Sequence, residues 1–186
     1  MNKILLDCGS HLGESVNKFR RIQPDISEFS IYMFEPNPSL FKSIEDNDSF
    51  NECIKFNSAI CGEDGIQRFW GCIDNPESVG ATLEKSKANF DKIKEMDYID
   101  TKTIDLSRFI IEKFEPTDYI ILKLDIEGSE YEVLEKLIST GTIKYINKLY
   151  CEFHSQWLSP EFKERETKLI KNLISNKIRP QYWDAL

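Results

Sequence analysis

Acidic residues and one histidine stand at the ends of several apolar segments, where they could bind a ligand or move a proton. Asp7 follows the run Ile-Leu-Leu, Glu35 follows FSIYMF, and Asp125 ends YIILKLD. A later apolar segment ends in Glu152 and His154. If these segments are parallel strands, their ends meet at one edge of a sheet, where like charges repel unless a ligand uses them. For each acid a structural alternative stays open, because carboxylates also favour the positive N-terminus of a following helix.

The spacing of these residues suggests two kinds of chemistry. Glu152 and His154 are two residues apart, so on a strand both would project from the same face, and Asp125 and Glu127 have the same relation. The four residues could form an oxygen-rich site for Mg²⁺ or Mn²⁺ with a histidine at its edge. Alternatively, the carboxylates hydrogen-bond a hydroxylated substrate while His154 removes its proton. A structural interpretation, with His154 tied to Glu152, also stays open. The catalytic candidates are therefore Asp125, Glu152 and His154, and the metal candidates are these three with Glu127.

A glycine-rich turn follows the first apolar segment in the stretch ILLDCGSHLGESV, residues 4–16. Its spacing is G-x-x-x-G, which differs from the G-x-G-x-x-G of dinucleotide-binding proteins. Gly9 would let the backbone approach a bound molecule closely, and Gly13 would let the next helix pack against the strand. Glu35 could accept hydrogen bonds from both hydroxyls of a ribose. Asp7, without a basic partner, suits the cationic amino group of S-adenosylmethionine better than a pyrophosphate.

Apolar segments alternate with amphipathic ones along the chain, which predicts strands separated by helices. The predicted strands cover residues 4–7, 29–34, 53–60, 66–70, 98–104, 119–125 and 146–153, with 98–104 at a sheet edge. The predicted helices cover residues 13–22, 39–46, 106–113, 129–139 and 160–175, and residues 71–97 are expected to form a loop or flap. The alternation indicates an α/β fold of the Rossmann-like, doubly wound type, with a mostly parallel sheet and helices on both faces. A length of 186 residues favours one domain over residues 1–186.

The overall composition restricts the class of partner. A formal net charge of −8 disfavours a nucleic-acid-binding protein, which needs a positive surface, so a small-molecule or glycan partner is expected. No segment is long and apolar enough to span a bilayer. The five cysteines are odd in number and form no C-x-x-C pair, which predicts reduced thiols and a cytoplasmic location.

Four motifs resemble those of FkbM-type methyltransferases. They are DCGSHLG at the first strand, FEPNP at the second, ILKLDIEGSE around Asp125, and the late EFH, so the resemblance extends from residue 4 to residue 154. The most specific part is the run K-x-D-x-E-G-x-E. The resemblance implies a class I methyltransferase that uses S-adenosylmethionine. Such enzymes often transfer the methyl group to a hydroxyl of a sugar or of another hydroxylated metabolite.

The resemblance also implies roles for individual residues. The glycine loop would surround the methionine half of the cofactor, Glu35 would hold the ribose, and Pro36 would shape the turn beside it. Ser58 and Ala59 would lie by the adenine, and Asp125 would face the reacting methyl group. The implied cofactor-binding residues are Asp7, Gly9, Ser10, His11, Gly13, Glu35, Pro36, Ser58, Ala59 and Asp125.

Two features depart from the usual class I pattern. The chain begins almost at its first strand, so the helix that usually precedes it is expected to be absent. It ends soon after Tyr182 and Trp183, which leaves little room for the final antiparallel hairpin. The sheet could therefore be minimal or completed by a partner, and an oligomer is one expectation. Two other functions stay open: a nicotinamide-dependent oxidoreductase, which the glycine spacing disfavours, and a non-catalytic nucleoside-binding module of the same fold.

Overall fold

The computed structural model describes residues 1–183, which form two β-sheets flanked by helices. The strands are β1 (Lys3–Cys8), β2 (Phe29–Phe34), β3 (Ile54–Phe56), β4 (Ala59–Cys61), β5 (Gly65–Trp70), β6 (Tyr98–Asp105), β7 (Tyr119–Leu124), β8 (Ile146–Cys151) and β9 (Gln181–Tyr182). The helices are α1 (Glu14–Ile22), α2 (Pro38–Glu45), α3 (Lys85–Phe90), α4 (Leu106–Lys113), α5 (Glu130–Ser139) and α6 (Glu161–Ser175).

The larger sheet is parallel throughout and has the order β3-β2-β1-β7-β8-β9. Its central strand, β1, places Leu5 opposite Ile31 of β2 and opposite Ile121 of β7. The continuous apolar runs suit this position, because strands of a parallel sheet are covered on both faces. Strand order reverses at β1, and in such sheets ligands bind beyond the carboxyl ends of the strands at the reversal. The predicted parallel, doubly wound sheet is confirmed.

Two apolar cores cover the two faces of this sheet. Successive residues of β1 point to opposite faces, so Ile4 and Leu6 belong to one core and Leu5 to the other. The first core packs against α4, α5 and α6, and the second packs against α1 and α2. This packing fixes the direction of β1, β2 and β7, whose carboxyl ends carry the candidate site.

The smaller sheet has the order β4-β6-β5, with β4 parallel and β5 antiparallel to β6. It corrects two predictions. The single strand predicted over 53–60 is two short strands in different sheets, because Phe56 pairs with Phe34 of β2 whereas Ala59 pairs with Thr103 of β6. The segment predicted as an edge strand, 98–104, is the central strand of this sheet, since both of its sides are paired.

The predicted flap over residues 71–97 contains the short helix α3 and a bridge between Trp70 and Thr82. At one edge of the larger sheet, β9 pairs with β8 in parallel. Among the described residues, this edge therefore contains no antiparallel hairpin. Among the helices of residues 1–183, none combines the length and apolar character that crossing a membrane requires. All five cysteines are buried free thiols.

Candidate active site

A cavity of about 370 Å³ lies at the carboxyl ends of β1, β2 and β7, which is a size typical of small-molecule sites. Its lining includes residues from the loop after β1, the turn after β2, the start of β4, the flap and the turn after β7. The lining residues are Gly9, Ser10, His11, Glu14, Ser15, Phe34, Glu35, Pro36, Leu40, Ala59, Ile60, Phe69, Ser78, Val79, Ala81, Leu83, Lys123, Asp125, Ile126, Glu127, Glu152 and Trp183.

The loop after β1 is held against the neighbouring strands by its backbone. The amides of Gly9 and Ser10 both donate to the carbonyl of Phe34, at 3.0 and 3.1 Å. Gly9 has φ +80°, and a Cβ built there would lie 1.8 Å from the carbonyl oxygen of Asp125. Gly9 is therefore required by the close approach of the protein's own backbone, and since it also lines the cavity, its close approach to a bound molecule stays a prediction.

Gly13 also differs from its expected role. A Cβ on Gly13 would lie 2.2 Å from the ring of Phe50, so this glycine makes room for an aromatic side chain. The contact with Phe50 requires Gly13, and the predicted packing of the next helix against the strand does not. Gly13 does not line the cavity, so any effect of this residue on a cofactor is through the shape of the loop.

Asp7 is fully buried beneath the loop and does not line the cavity. Its carboxylate accepts a hydrogen bond from Ser15 Oγ at 3.0 Å and lies 3.4 Å from Lys123 Nζ. Two features of the earlier interpretation are thus corrected: Asp7 has a basic partner, and its side chain supports the loop from below instead of facing a ligand. Lys123 Nζ also donates to the carbonyls of Cys8 and Gly9, at 3.2 and 2.5 Å.

Lys123 is a buried cation that the sequence reasoning missed. Burial favours its neutral form, but the charges of Asp7 and Asp125 outweigh burial and raise the pKa of Lys123. Its ammonium lies 3.6 Å from Asp125, so one positive charge holds the loop after β1 and the end of β7 together. A lysine inside the otherwise apolar run YIILKL was the available signal, because lysine is almost never buried without partners.

Glu35 lines the cavity directly below the loop. Its Oε2 accepts from the backbone N–H of His11 and its Oε1 accepts from that of Asn37, each at 2.8 Å. Burial outweighs these two hydrogen bonds and raises the pKa of Glu35 to about 7. Because a carboxylate oxygen can accept more than one hydrogen bond, both oxygens retain capacity for a ligand hydroxyl.

The middle of the cavity is apolar. Phe34, Pro36, Leu40, Ala59, Ile60 and Phe69 contribute to its wall. Ser58 does not line it: this residue is buried, and its hydroxyl donates to the carbonyl of Asn57 at 2.8 Å. Ser58 and Ala59 are both expected beside an adenine, but of the two only Ala59 lines the cavity.

Three of the four predicted metal ligands come together beside the carboxyl end of β7. Ligand atoms of Asp125, Glu127 and His154 lie within 4.8 Å of one another, whereas Glu152 is outside this group but lines the cavity. His154 Nε2 is 3.3 Å from Glu127 and 3.8 Å from Asp125. Its Nδ1 is 3.0 Å from Oε1 of Glu130, which is its fully buried partner. The structural alternative that paired His154 with Glu152 is therefore wrong about the partner.

The environment of His154 does not suit a general base. The ring is 3 % exposed and does not line the cavity. Burial alone would favour its neutral form, but Glu130 and Glu127 raise the pKa of His154 to about 11. Both ring nitrogens face carboxylates and the raised pKa favours the protonated imidazole, so Asp125 and Glu152, which line the cavity, are better placed to act as the base.

Asp125, Glu127 and Glu152 are the carboxylates that line the cavity at this end. Burial is the main cause that raises the pKa of Asp125 and of Glu152. Asp125 is held between Lys123 and His154, while Glu130 accepts hydrogen bonds from the N–H groups of Ile126 and Gly128 and so shapes the turn. Glu130 is not among the predicted site residues, although the run D-x-E-G-x-E contains it together with Asp125.

The flap closes one side of the cavity. Ser78, Val79, Ala81 and Leu83 line it from above. The flap contacts both ends of the site: the carbonyl of Pro76 accepts from Asn37 Nδ2 at 2.9 Å, and Thr82 Oγ1 donates to the carbonyl of Glu127 at 2.6 Å.

A parallel Rossmann-like sheet with a glycine loop and an acid-ended second strand around one cavity defines a fold of the class I methyltransferase type. A family model described as the methyltransferase FkbM domain matches residues 7–175, so the chain belongs to this methyltransferase family. No curated protein and no solved structure matched the chain.

Proposed function

We propose that this chain is an S-adenosylmethionine-dependent O-methyltransferase that acts on a hydroxyl of a sugar, a glycan or a similar hydroxylated metabolite. The observation that carries the proposal is that the loop after β1 and Glu35 line one cavity whose other end carries Asp125 and Glu152. We also retain the cytoplasmic location, the single domain over residues 1–186 and a small-molecule or glycan partner as parts of this proposal.

The residues of the cavity fit the cofactor at three points. Glu35 offers carboxylate oxygens to the ribose hydroxyls, and the apolar wall with Ala59 suits an adenine. His11 Nε2 is a buried nitrogen without a hydrogen-bond partner in the described part of the chain, and His11 lines the cavity beside Ser10. We infer that the cofactor supplies the missing partner, because buried polar groups are rarely left without a hydrogen bond. The bound cofactor would supply an activated methyl group.

The chain's own contribution to the reaction is alignment and proton removal. Holding the acceptor hydroxyl in line with the methyl group removes entropy from the barrier, an effect worth roughly 7–11 kcal/mol at best. Asp125 is placed to accept the hydroxyl proton, because it faces the cavity and burial raises its pKa. Glu152 would orient the acceptor, and protonated His154 would offset the negative charge of Asp125 and Glu127 from behind.

The predicted divalent metal fits this site poorly. Three of the four proposed ligands do converge, and the contact of His154 with Glu130 is one that metal-binding histidines often make. However, Glu127 Oε2 already lies 2.9 Å from Lys87 Nζ, so one of the two carboxylate oxygens of Glu127 is paired with a cation of the protein itself. We therefore assign no step of the reaction to Mg²⁺ or Mn²⁺.

Binding of S-adenosylhomocysteine, measured by titration calorimetry, tests the proposal. We expect saturable binding to the wild type and a loss of about 10- to 100-fold in Glu35→Ala, because hydrogen bonds to a charged group contribute about 1.5–3 kcal/mol. Glu28→Ala is the matched control, since Glu28 is an exposed carboxylate paired with Lys3 at the opposite end of the strands. Absence of binding at millimolar S-adenosylhomocysteine, or binding of NADH instead, would reject the proposal.

The affinity for S-adenosylhomocysteine should fall as the pH is lowered. Glu35 has its pKa raised to about 7, and ribose hydroxyls donate to its ionised form, so below this pH a proton must leave before the ligand binds. The dissociation constant should therefore be about tenfold larger at pH 6 than at pH 8. In Glu35→Gln this dependence should disappear, and an equally steep dependence in that variant would assign the effect to another group.

A further inference from the structure

The flap carries a buried lysine that no part of the proposed reaction uses. Lys87 lies on α3 and is 4 % exposed. Its Nζ contacts Glu127 Oε2 at 2.9 Å and Asp91 Oδ2 at 2.7 Å, and it lies 3.4 Å from the carbonyl oxygen of Gly80. A buried ammonium is tolerated only where charged partners compensate for its lost hydration. One of these partners, Glu127, belongs to the candidate active site.

Glu127 is held by the flap at two places. Its carboxylate meets Lys87, and its backbone carbonyl accepts from Thr82 Oγ1 at 2.6 Å. Its backbone has φ +56°, a conformation that residues with side chains rarely adopt and that surrounding contacts must maintain. Next to it, a Cβ on Gly128 would lie 3.0 Å from the Cβ of Glu84, so flap and turn are in close contact.

The same carboxylate oxygen also faces His154 Nε2 at 3.3 Å. Glu127 Oε2 therefore lies between a cation from the flap and the histidine behind the site. A divalent ion bound by Asp125, Glu127 and His154 would come within a few ångströms of the Lys87 ammonium, and like charges at that distance repel strongly in a partly buried site.

We propose that Lys87 is a positioning residue that acts as the built-in cation of this site: it fixes Glu127 and keeps a divalent metal out. The proposal deepens the proposed function, on which it rests for the role of Asp125 beside Glu127. It predicts an enzyme that needs no added divalent metal, with the cation delivered by the flap.

Binding of Mn²⁺ alone to the full chain, followed by loss of the free-ion signal in electron paramagnetic resonance, tests this role without any acceptor. In the wild type, half-saturation should require more than about 1 mM Mn²⁺. In Lys87→Met, Mn²⁺ should bind about tenfold more tightly or better, because the repelling ammonium is gone. Lys87→Arg keeps the charge and should behave as the wild type.

Lys85→Met is the matched control. Lys85 is on the same helix, but its ammonium lies over the ring of Trp70, 3.8 Å from the centroid. Loss of this charge should leave Mn²⁺ affinity within about twofold of the wild type, because a charge away from the site is screened by water and salt. A merely structural Lys87 would leave the affinity for Mn²⁺ unchanged in Lys87→Met.

Two outcomes would overturn the proposal. One is tight Mn²⁺ binding by the wild type, which needs no variant and so holds even if Lys87→Met does not fold. The other is equal Mn²⁺ affinity in folded Lys87→Met and Lys85→Met. S-adenosylhomocysteine binding is measured separately on each protein, so failure of the cofactor assignment is distinguished from failure of this one.

Discussion

Replacing Asp125 by Asn is expected to lower the rate of methyl transfer by about two to four orders of magnitude, the range in which a general base contributes. The change keeps the size of the side chain and removes its capacity to accept a proton. Asp125 faces the cavity, and its carboxylate lies 3.6 Å from Lys123 and 3.8 Å from His154. The measurement is single-turnover transfer of labelled methyl from S-adenosylmethionine to an acceptor found by screening hydroxylated compounds.

The affinity of Asp125→Asn for S-adenosylhomocysteine separates the two roles of this residue. If Asp125 acts mainly as the base, that affinity should stay within about tenfold of the wild type, since at most one charged hydrogen bond is lost. Glu152→Gln is the comparison variant: its carboxylate also lines the cavity, and a smaller loss of rate is expected because it orients the acceptor. If Asp125→Asn keeps the rate of the wild type and Glu152→Gln loses it, Glu152 is the base and Asp125 orients the acceptor.

Replacing Gly9 by Ala should destabilise the fold by roughly 3–5 kcal/mol, which is near the upper limit for single substitutions. About 1–2 kcal/mol of this comes from the left-handed backbone. The rest comes from the new methyl group, which would lie 1.8 Å from the carbonyl oxygen of Asp125 and must push backbone apart. Urea unfolding measures the change, and weakened binding of S-adenosylhomocysteine should accompany it because the loop after β1 is displaced.

Gly141 provides the matched control for this effect. It has φ +77°, close to the +80° of Gly9, but a Cβ built there meets nothing within 4 Å. Gly141→Ala should therefore lose only the backbone contribution of about 1–2 kcal/mol. Equal destabilisation in the two variants would show that the contact between the loop and the Asp125 backbone is unimportant.

Much of the larger sheet could be predicted because its strands are long apolar runs that no other element accommodates. FSIYMF and YIILKL form β2 and β7 close to their predicted bounds. The segment 53–60 was not predictable in the same way. Local propensity identifies it as extended, but the choice between β2 and β6 as its partner depends on residues distant in the chain.

The prediction that Glu152 and His154 share a face failed for a physical reason. The rule that residues two apart share a face applies only within a strand, and β8 ends at Cys151. Glu152 and His154 follow the strand end, so they diverge, and the histidine turns to Glu130, 24 residues earlier in the chain. Asp125 and Glu127 also follow a strand end, since β7 ends at Leu124 and Glu127 has a left-handed backbone, but their carboxylates still lie within 4.8 Å of each other.

The sequence by itself determined the α/β class, the family motifs and the acids that gather at the strand ends, because residue type and local periodicity carry this information. Only the tertiary structure decided which charges pair. Lys123 with Asp7 and Lys87 with Glu127 are contacts between residues 116 and 40 positions apart. No local pattern encodes such pairs, since they arise when packed elements bring the buried charges together and exclude the water that would otherwise separate them.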